Sequence, residues 1–195
     1  ETDTLSQIKA LFDEVRLGRT SNASVLSSVL SARGNYTVFA PGNDAVRRYV
    51  LQVTKGEAST IDALTMEQKE QIALNCVMDN GTSNAYEIAD FPSDGGTFST
   101  STLKERRLSC EQKVDENNIA YYAINGDARV VVSNVEVSNG MLHVVDHVIA
   151  PSTNSVAELV QRAGNMRIMG KLLSLTGYAD SLSLKSDEEE EFESA

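Results

Sequence analysis

Apolar residues recur at helical spacing through the first half of the chain, with one strand set among the helices. Leu5, Ile8, Leu11, Phe12 and Val15 define one apolar helix face, and Thr4 with Gln7 predicts a capping box ahead of it. Val25, Leu26, Val29 and Leu30 define a second short helix that Gly34 can end. The pattern then turns to strand at Tyr36-Thr37-Val38-Phe39, stopped by Pro41. Asn43 is a suitable N-cap for a third helix, with Asp44 in its first turn and Ala45, Val46, Tyr49 and Val50 inward. A capping box at Thr65 and Gln68 opens a fourth, expected to carry Ile72, Ala73, Cys76 and Val77 into the core before Asn80-Gly81 turns the chain.

From Ala85 to Ile149 the pattern is one of short strands. Pro92-Ser93-Asp94-Gly95-Gly96 reads as a loop. Strands are expected over 98–108, 120–124, 130–132, 135–137 and 141–149, with Asn125-Gly126 as a hairpin turn. The last of these is apolar on both faces, which predicts a central strand covered on both sides. Helices first and strands later predict an α+β fold. Alternation places Met141, His143, Val145, His147 and Ile149 on one face of the last strand, and Leu142, Val144, Asp146 and Val148 on the other. Asp146 is thereby flanked by aliphatic residues, and a buried carboxylate there needs donors from a neighbouring loop. His143 and His147 share a face, but four strand residues separate them by roughly 13 Å, too far to ligate one metal ion. A hydrogen-bonded core histidine at 143 and an exposed one at 147 is the preferred reading.

After Pro151 the helical pattern returns. Ser155 and Glu158 form another capping box, Val156, Leu159, Val160 and Ala163 share a face, and Ile168, Met169, Leu172 and Leu173 share the next. These two helices echo the first two, and both copies then reach a glycine and a tyrosine, Gly34 with Tyr36 and Gly177 with Tyr178. The expected organisation is a domain over 1–152, a helical segment over 153–182 and an acidic, disordered tail over 183–195. Two amphipathic helices cannot bury their own apolar faces, so the segment is expected to pack on the first domain or on another chain. Self-association through 153–182 is the expected route to a dimer.

Charge narrows the partner classes. The 195 residues carry a net charge of -11, and six of the 28 acidic residues lie at 187–193. Setting those aside leaves 22 acidic against 17 basic residues, a body of about -5. Such a body offers no footprint for a nucleic-acid backbone or an anionic membrane, and no apolar run is long enough to span a bilayer. The first residues, Glu1-Thr2-Asp3-Thr4, have no signal-peptide character, so any export signal or lipid anchor is expected either to have been removed already or never to have existed. Cys76 and Cys110 can either form one disulfide or lie apart as core thiols, and the second reading is preferred. Asn22, Asn35 and Asn80 each open an Asn-x-Ser/Thr triplet, which matters only in a host that glycosylates such sites. The two histidines stand in no recognisable nucleophile–base context, no Gly-rich phosphate loop is present, and the acidic run lacks the ligand spacing of a cation loop. No catalytic residue, cofactor or metal is therefore expected.

Two segments carry a family resemblance. Tyr36-Thr37-Val38-Phe39-Ala40-Pro41-Gly42-Asn43-Asp44-Ala45-Val46 and Asn139-Gly140-Met141-Leu142-His143-Val144-Val145-Asp146-His147-Val148-Ile149-Ala150-Pro151 resemble the paired signatures of fasciclin (FAS1) domains. Only the Phe that usually closes the first is replaced, by Val46. The resemblance covers roughly residues 1–152. It implies a fold of N-terminal helices packed on a β-sandwich or wedge of two short sheets. The functional expectation is a non-catalytic adhesion module, secreted or on the cell surface, lipid-anchored in the longer protein, that binds a protein or glycan. The alternative is a structural spacer in a multi-domain envelope or matrix protein. The resemblance also implies that 153–182 begins a second, incomplete FAS1 repeat. The Tyr-His pair associated with adhesion in animal members is replaced here by Asn75 and Cys76, so an integrin-type mechanism does not carry over.

Overall fold

A computed structural model of the protein describes residues 3–18, 23–149 and 167–176. The chain divides into two units, Glu1–Pro151 and Ser152–Ala195. In the first, helix α1 (Ser6–Glu14) and the short α2 (Leu26–Leu30) precede strand β1 (Tyr36–Pro41). Helices α3 (Asn43–Val53) and α4 (Met66–Asn75) follow, and β2 (Val77–Asp79) leaves α4 almost directly. The remaining strands are β3 (Asp94–Thr97), β4 (Ser109–Val114), β5 (Ala120–Ile124), β6 (Ala128–Val137) and β7 (Gly140–Val145). The fold is α+β, as the order of helices and strands predicts.

The expected pair of short sheets is joined into one. The strand order is β2-β1-β7-β6-β5-β4-β3. Strand β6 belongs to both halves: it ladders with β7 from Val130 to Val137 but with β5 only at Arg129 and Ala128. Bulges between Val130 and Val135 turn it from one half to the other. Among the described strands, only the β1–β7 pair is parallel.

Two cores lie on the two faces of β1 and β7. Tyr36, Val38 and Ala40 join Ile8, Leu11, Leu26, Val46, Val50 and Ile72 in the core beneath the helices, with Leu142 and Val148 against it. Phe39, Val145 and Ile149 join Phe91, Phe98, Cys110 and Ile124 in the second core. Because that core gathers side chains from β1, β4, β5 and β7, the sheet must curl over itself to enclose it. The alternation of faces expected along the last strand is observed as far as Val145, where the strand ends, and β7 is central, between β1 and β6.

Several boundaries differ from the pattern-based expectation. The Thr4–Gln7 capping box does not form; Thr4 lies in a 3-10 turn at Asp3–Leu5. The Thr65–Gln68 box does form, with both reciprocal hydrogen bonds. Helix α4 ends at Asn75, so Val77 enters the core from β2. Residues 98–108 are mostly loop, closed by Thr102 N donating to Arg106 O, and the Gly-rich segment forms β3 instead, paired with β4. The two expected valine strands are one bulged strand, with Asn134 at a φ of 55° between them. Strand β7 stops at Val145, which places Asp146 at a bend. The expected turn at Asn125-Gly126 is present, with φ of 50° and 85°.

In the second unit, helix α5 (Arg167–Thr176) leaves Ile168, Met169, Leu172 and Leu175 exposed. The Ser155–Glu158 box, the helix around Val156–Ala163, Gly177 and the tail over 183–195 lie outside the described residues, as does Asn22.

Candidate functional site

The two signature segments meet as neighbouring strands. The register runs Tyr36↔Gly140, Thr37↔Met141, Val38↔Leu142, Phe39↔His143, Ala40↔Val144 and Pro41↔Val145. Their polar residues hold elements together. Asn139 Nδ2 donates to Leu30 O at 2.7 Å and Ala32 O at 2.8 Å, satisfying carbonyls at the end of α2. That role falls to Asn139 and not to Gly34, which lies under the Tyr36 ring. Asn43 does not cap its own helix; Gly42 occupies that position. Its Oδ1 accepts from Gln7 N at 3.0 Å and its Nδ2 donates to Ser6 Oγ at 2.9 Å, so it caps α1 from across the fold. Asp44 forms an exposed pair with Arg47 at 3.0 Å. Thr37 is fully buried, donates to Asn80 Oδ1 at 3.0 Å and accepts from Tyr86 N at 2.9 Å. Asn80, one of the triplet asparagines, is therefore spent inside the fold.

His143 is fully buried and stacks on Phe39 with ring centroids 5.4 Å apart. Its Nδ1 accepts from Asn134 N at 3.3 Å, which assigns the proton to Nε2, facing Tyr86 O at 2.9 Å. Burial lowers its pKa below the usual imidazole value, against a smaller opposite effect of the Tyr86 carbonyl. His147 is exposed and meets Asp146 Oδ1 through Nδ1 at 2.8 Å.

Asp146 requires a correction. Its carboxylate is about one third exposed, not buried among aliphatics, because the strand has ended before it. It still ties elements together: Oδ1 accepts from Arg129 N at 2.8 Å on β6, and its carbonyl accepts from Arg48 at 2.6 Å on α3.

Asn75 and Cys76, the residues expected to replace the adhesion pair, are both buried. Cys76 O accepts from Phe39 N at 2.8 Å, so this position serves the sheet. Cys76 and Cys110 are free and sit in different cores; burial pushes each thiol up to about 12.

The surface features that pattern-reading missed lie on β6. Val131, Val132, Val135 and Val137 are exposed, between 39% and 53%. Val132, Val135 and Val137 pair with Val144, Leu142 and Gly140 of β7. Beside it, where β5 and β6 part, is a cleft of about 420 Å³ lined by Ile88, Ala120, Tyr121, Tyr122, Arg129, Val130, Val131 and Asp146. The consecutive valines were the available sequence signal, but only the bulges decide which of them face outward.

The parallel pairing of these two segments beneath four helices defines the class. The fasciclin domain model matches residues 16–151, and the chain belongs to the fasciclin domain family. It is 29% identical over 134 residues to Protein sll1483 of Synechocystis sp., a match covering 66% of this chain and 62% of that protein. Among solved structures it is similar to the FAS1 domain pair of the insect cell adhesion molecule fasciclin I. That similarity has a TM-score of 0.55 at 14% identity and covers 93% of this chain and 57% of the other. The chain thus spans less than two thirds of both proteins. No helix among the described residues is long and apolar enough to cross a membrane.

Proposed function

We propose that the protein is an adhesion module at the cell surface or in the extracellular matrix, secreted or lipid-anchored, that holds a protein or glycan partner by surface complementarity without chemistry. The carrying observation is the row of exposed valines on β6, set on a domain whose signature residues are nearly all engaged in holding the fold. Apolar surface of this kind marks interaction sites on folded proteins. Family membership supports a binding-type module, and the name of the insect relative supports adhesion.

The second unit is read as the start of another FAS1 copy. The division after Pro151, the observed helix at Arg167–Thr176 and the breadth of the match to a domain pair support that reading. The exposed side chains of Ile168, Met169, Leu172 and Leu175 support self-association through this segment.

The test is binding of the chain to arrays of matrix proteins and glycans, alongside a Val135→Asp, Val137→Asp variant that keeps its fold. A specific partner lost in the variant is expected. Silence of the wild-type chain on both arrays would favour a structural spacer.

A further inference from the structure

We infer that the cleft between β5 and β6 binds a neutral saccharide unit of a partner glycan. This rests on the binding-module reading and narrows it to one ligand class and one site. The cleft exists because the ladder stops: β5 and β6 pair only at Ala123↔Arg129 and Ile124↔Ala128, and the bulge after Val130 then turns β6 toward β7. The gap left is about 420 Å³, within the range of small-ligand sites at about 300–1,000 Å³.

Its polar groups are held before any ligand arrives. The Arg129 guanidinium lies 4.3 Å over the Tyr121 ring and 3.3 Å from Asp115 Oδ2, which fixes a planar set of donors at the cleft wall. Asp146 is held through Oδ1 by Arg129 N and His147, and its Oδ2 takes part in neither bond. A fixed acceptor and fixed planar donors face apolar walls from Ile88, Val130 and Val131. A sugar ring matches this set, since each hydroxyl both donates and accepts while its C–H faces are apolar.

Charge selects the kind of sugar. Among the lining residues the one cation, Arg129, is already paired with Asp115 and the one anion is Asp146, so a uronate or sulfated unit finds no unpaired cation in the lining. A cationic ligand finds a face of Tyr121 already covered by Arg129. Strand addition by a peptide is disfavoured, because the two bulges between Val130 and Val135 break the register such a strand needs.

The test is an NMR titration of the whole 195-residue chain with mannotetraose, cellotetraose and trigalacturonate, with calorimetry for affinity. Amide shifts confined to residues 120–122, 129–131 and 146 are expected for at least one neutral oligosaccharide. Tyr121→Ala and Asp146→Asn should each weaken it roughly tenfold, with melting temperatures close to wild type. Asp146→Asn keeps Oδ1 for the Arg129 amide, so it separates ligand contact from folding. Shifts elsewhere, no shifts up to about 20 mM, tighter binding of trigalacturonate, or displacement by an alternating Val-Thr hexapeptide would each overturn the inference. A chain that keeps its array partner in the Tyr121→Ala variant rejects the saccharide cleft and leaves the adhesion reading standing. A wild-type chain silent in titration and arrays alike rejects both.

Discussion

Gly140 sits where β7 runs closest to β1. A Cβ there would fall inside the van der Waals envelope of the Tyr36 carbonyl and amide, with no flexible side chain to move aside. Gly140→Ala should therefore cost about 3 kcal/mol or more, read as a lowered denaturant midpoint with unchanged slope. Asp146 is a weaker point. Its removal leaves the Arg129 amide without an acceptor at a partly wet site, so Asp146→Ala should cost about 1 kcal/mol. A loss near 3 kcal/mol would show the carboxylate to be more deeply engaged than its exposure indicates. His143 adds a pH dependence. Burial holds its folded pKa below the unfolded value near 6.5, so the unfolded chain binds the extra proton first. Stability from this group is complete above about pH 6.5 and declines as pH falls through the lower folded pKa. In His143→Gln, which keeps polar reach toward Tyr86, the loss in melting temperature from pH 7 to pH 5 should be smaller than in wild type. An equal loss would assign the acid sensitivity to carboxylates instead.

At the scale of elements, two asparagines do from a distance what local caps usually do. Asn139 reaches from the β6–β7 turn to the end of α2, and Asn43 reaches from the β1–α3 corner to the start of α1. Each helix end is thereby tied to the sheet, so a cap mutation here loosens a tertiary contact as well. Asn139→Ala should cost about 1–2 kcal/mol, at or above the usual value of a local cap, with Thr65→Ala on α4 as the local comparison at about 1 kcal/mol. Equal protection of α2 amides from hydrogen exchange in wild type and Asn139→Ala would count against this tie.

Across the whole molecule, the two thiols stand in separate cores on opposite faces of the central strands. Reductant should leave the melting temperature unchanged, and a thiol reagent should label Cys76 and Cys110 only as fast as the domain opens. The chain beyond Pro151 is tested by hydrogen exchange in dilute solution. Protection across 155–178 is expected if its apolar helix faces are covered, and fast exchange throughout would deny the repeat any structural consequence.

Local chemistry determined much that is visible here. Residues 120–124 announce their strand and Thr65 and Gln68 their cap, because short-range stereochemistry and alternating polarity decide such features without help. Long-range contacts decided the rest. The Gly-rich residues 94–97 are a strand only because β4 lies alongside, and Asp146 is partly in water only because β7 ends one residue earlier. Asn43 serves α1 because the fold brings that helix to the corner. The cleft beside Tyr121 has no sequence signal, since it is the space between two strands that part, and where strands part is set by bulges and by what packs on either side.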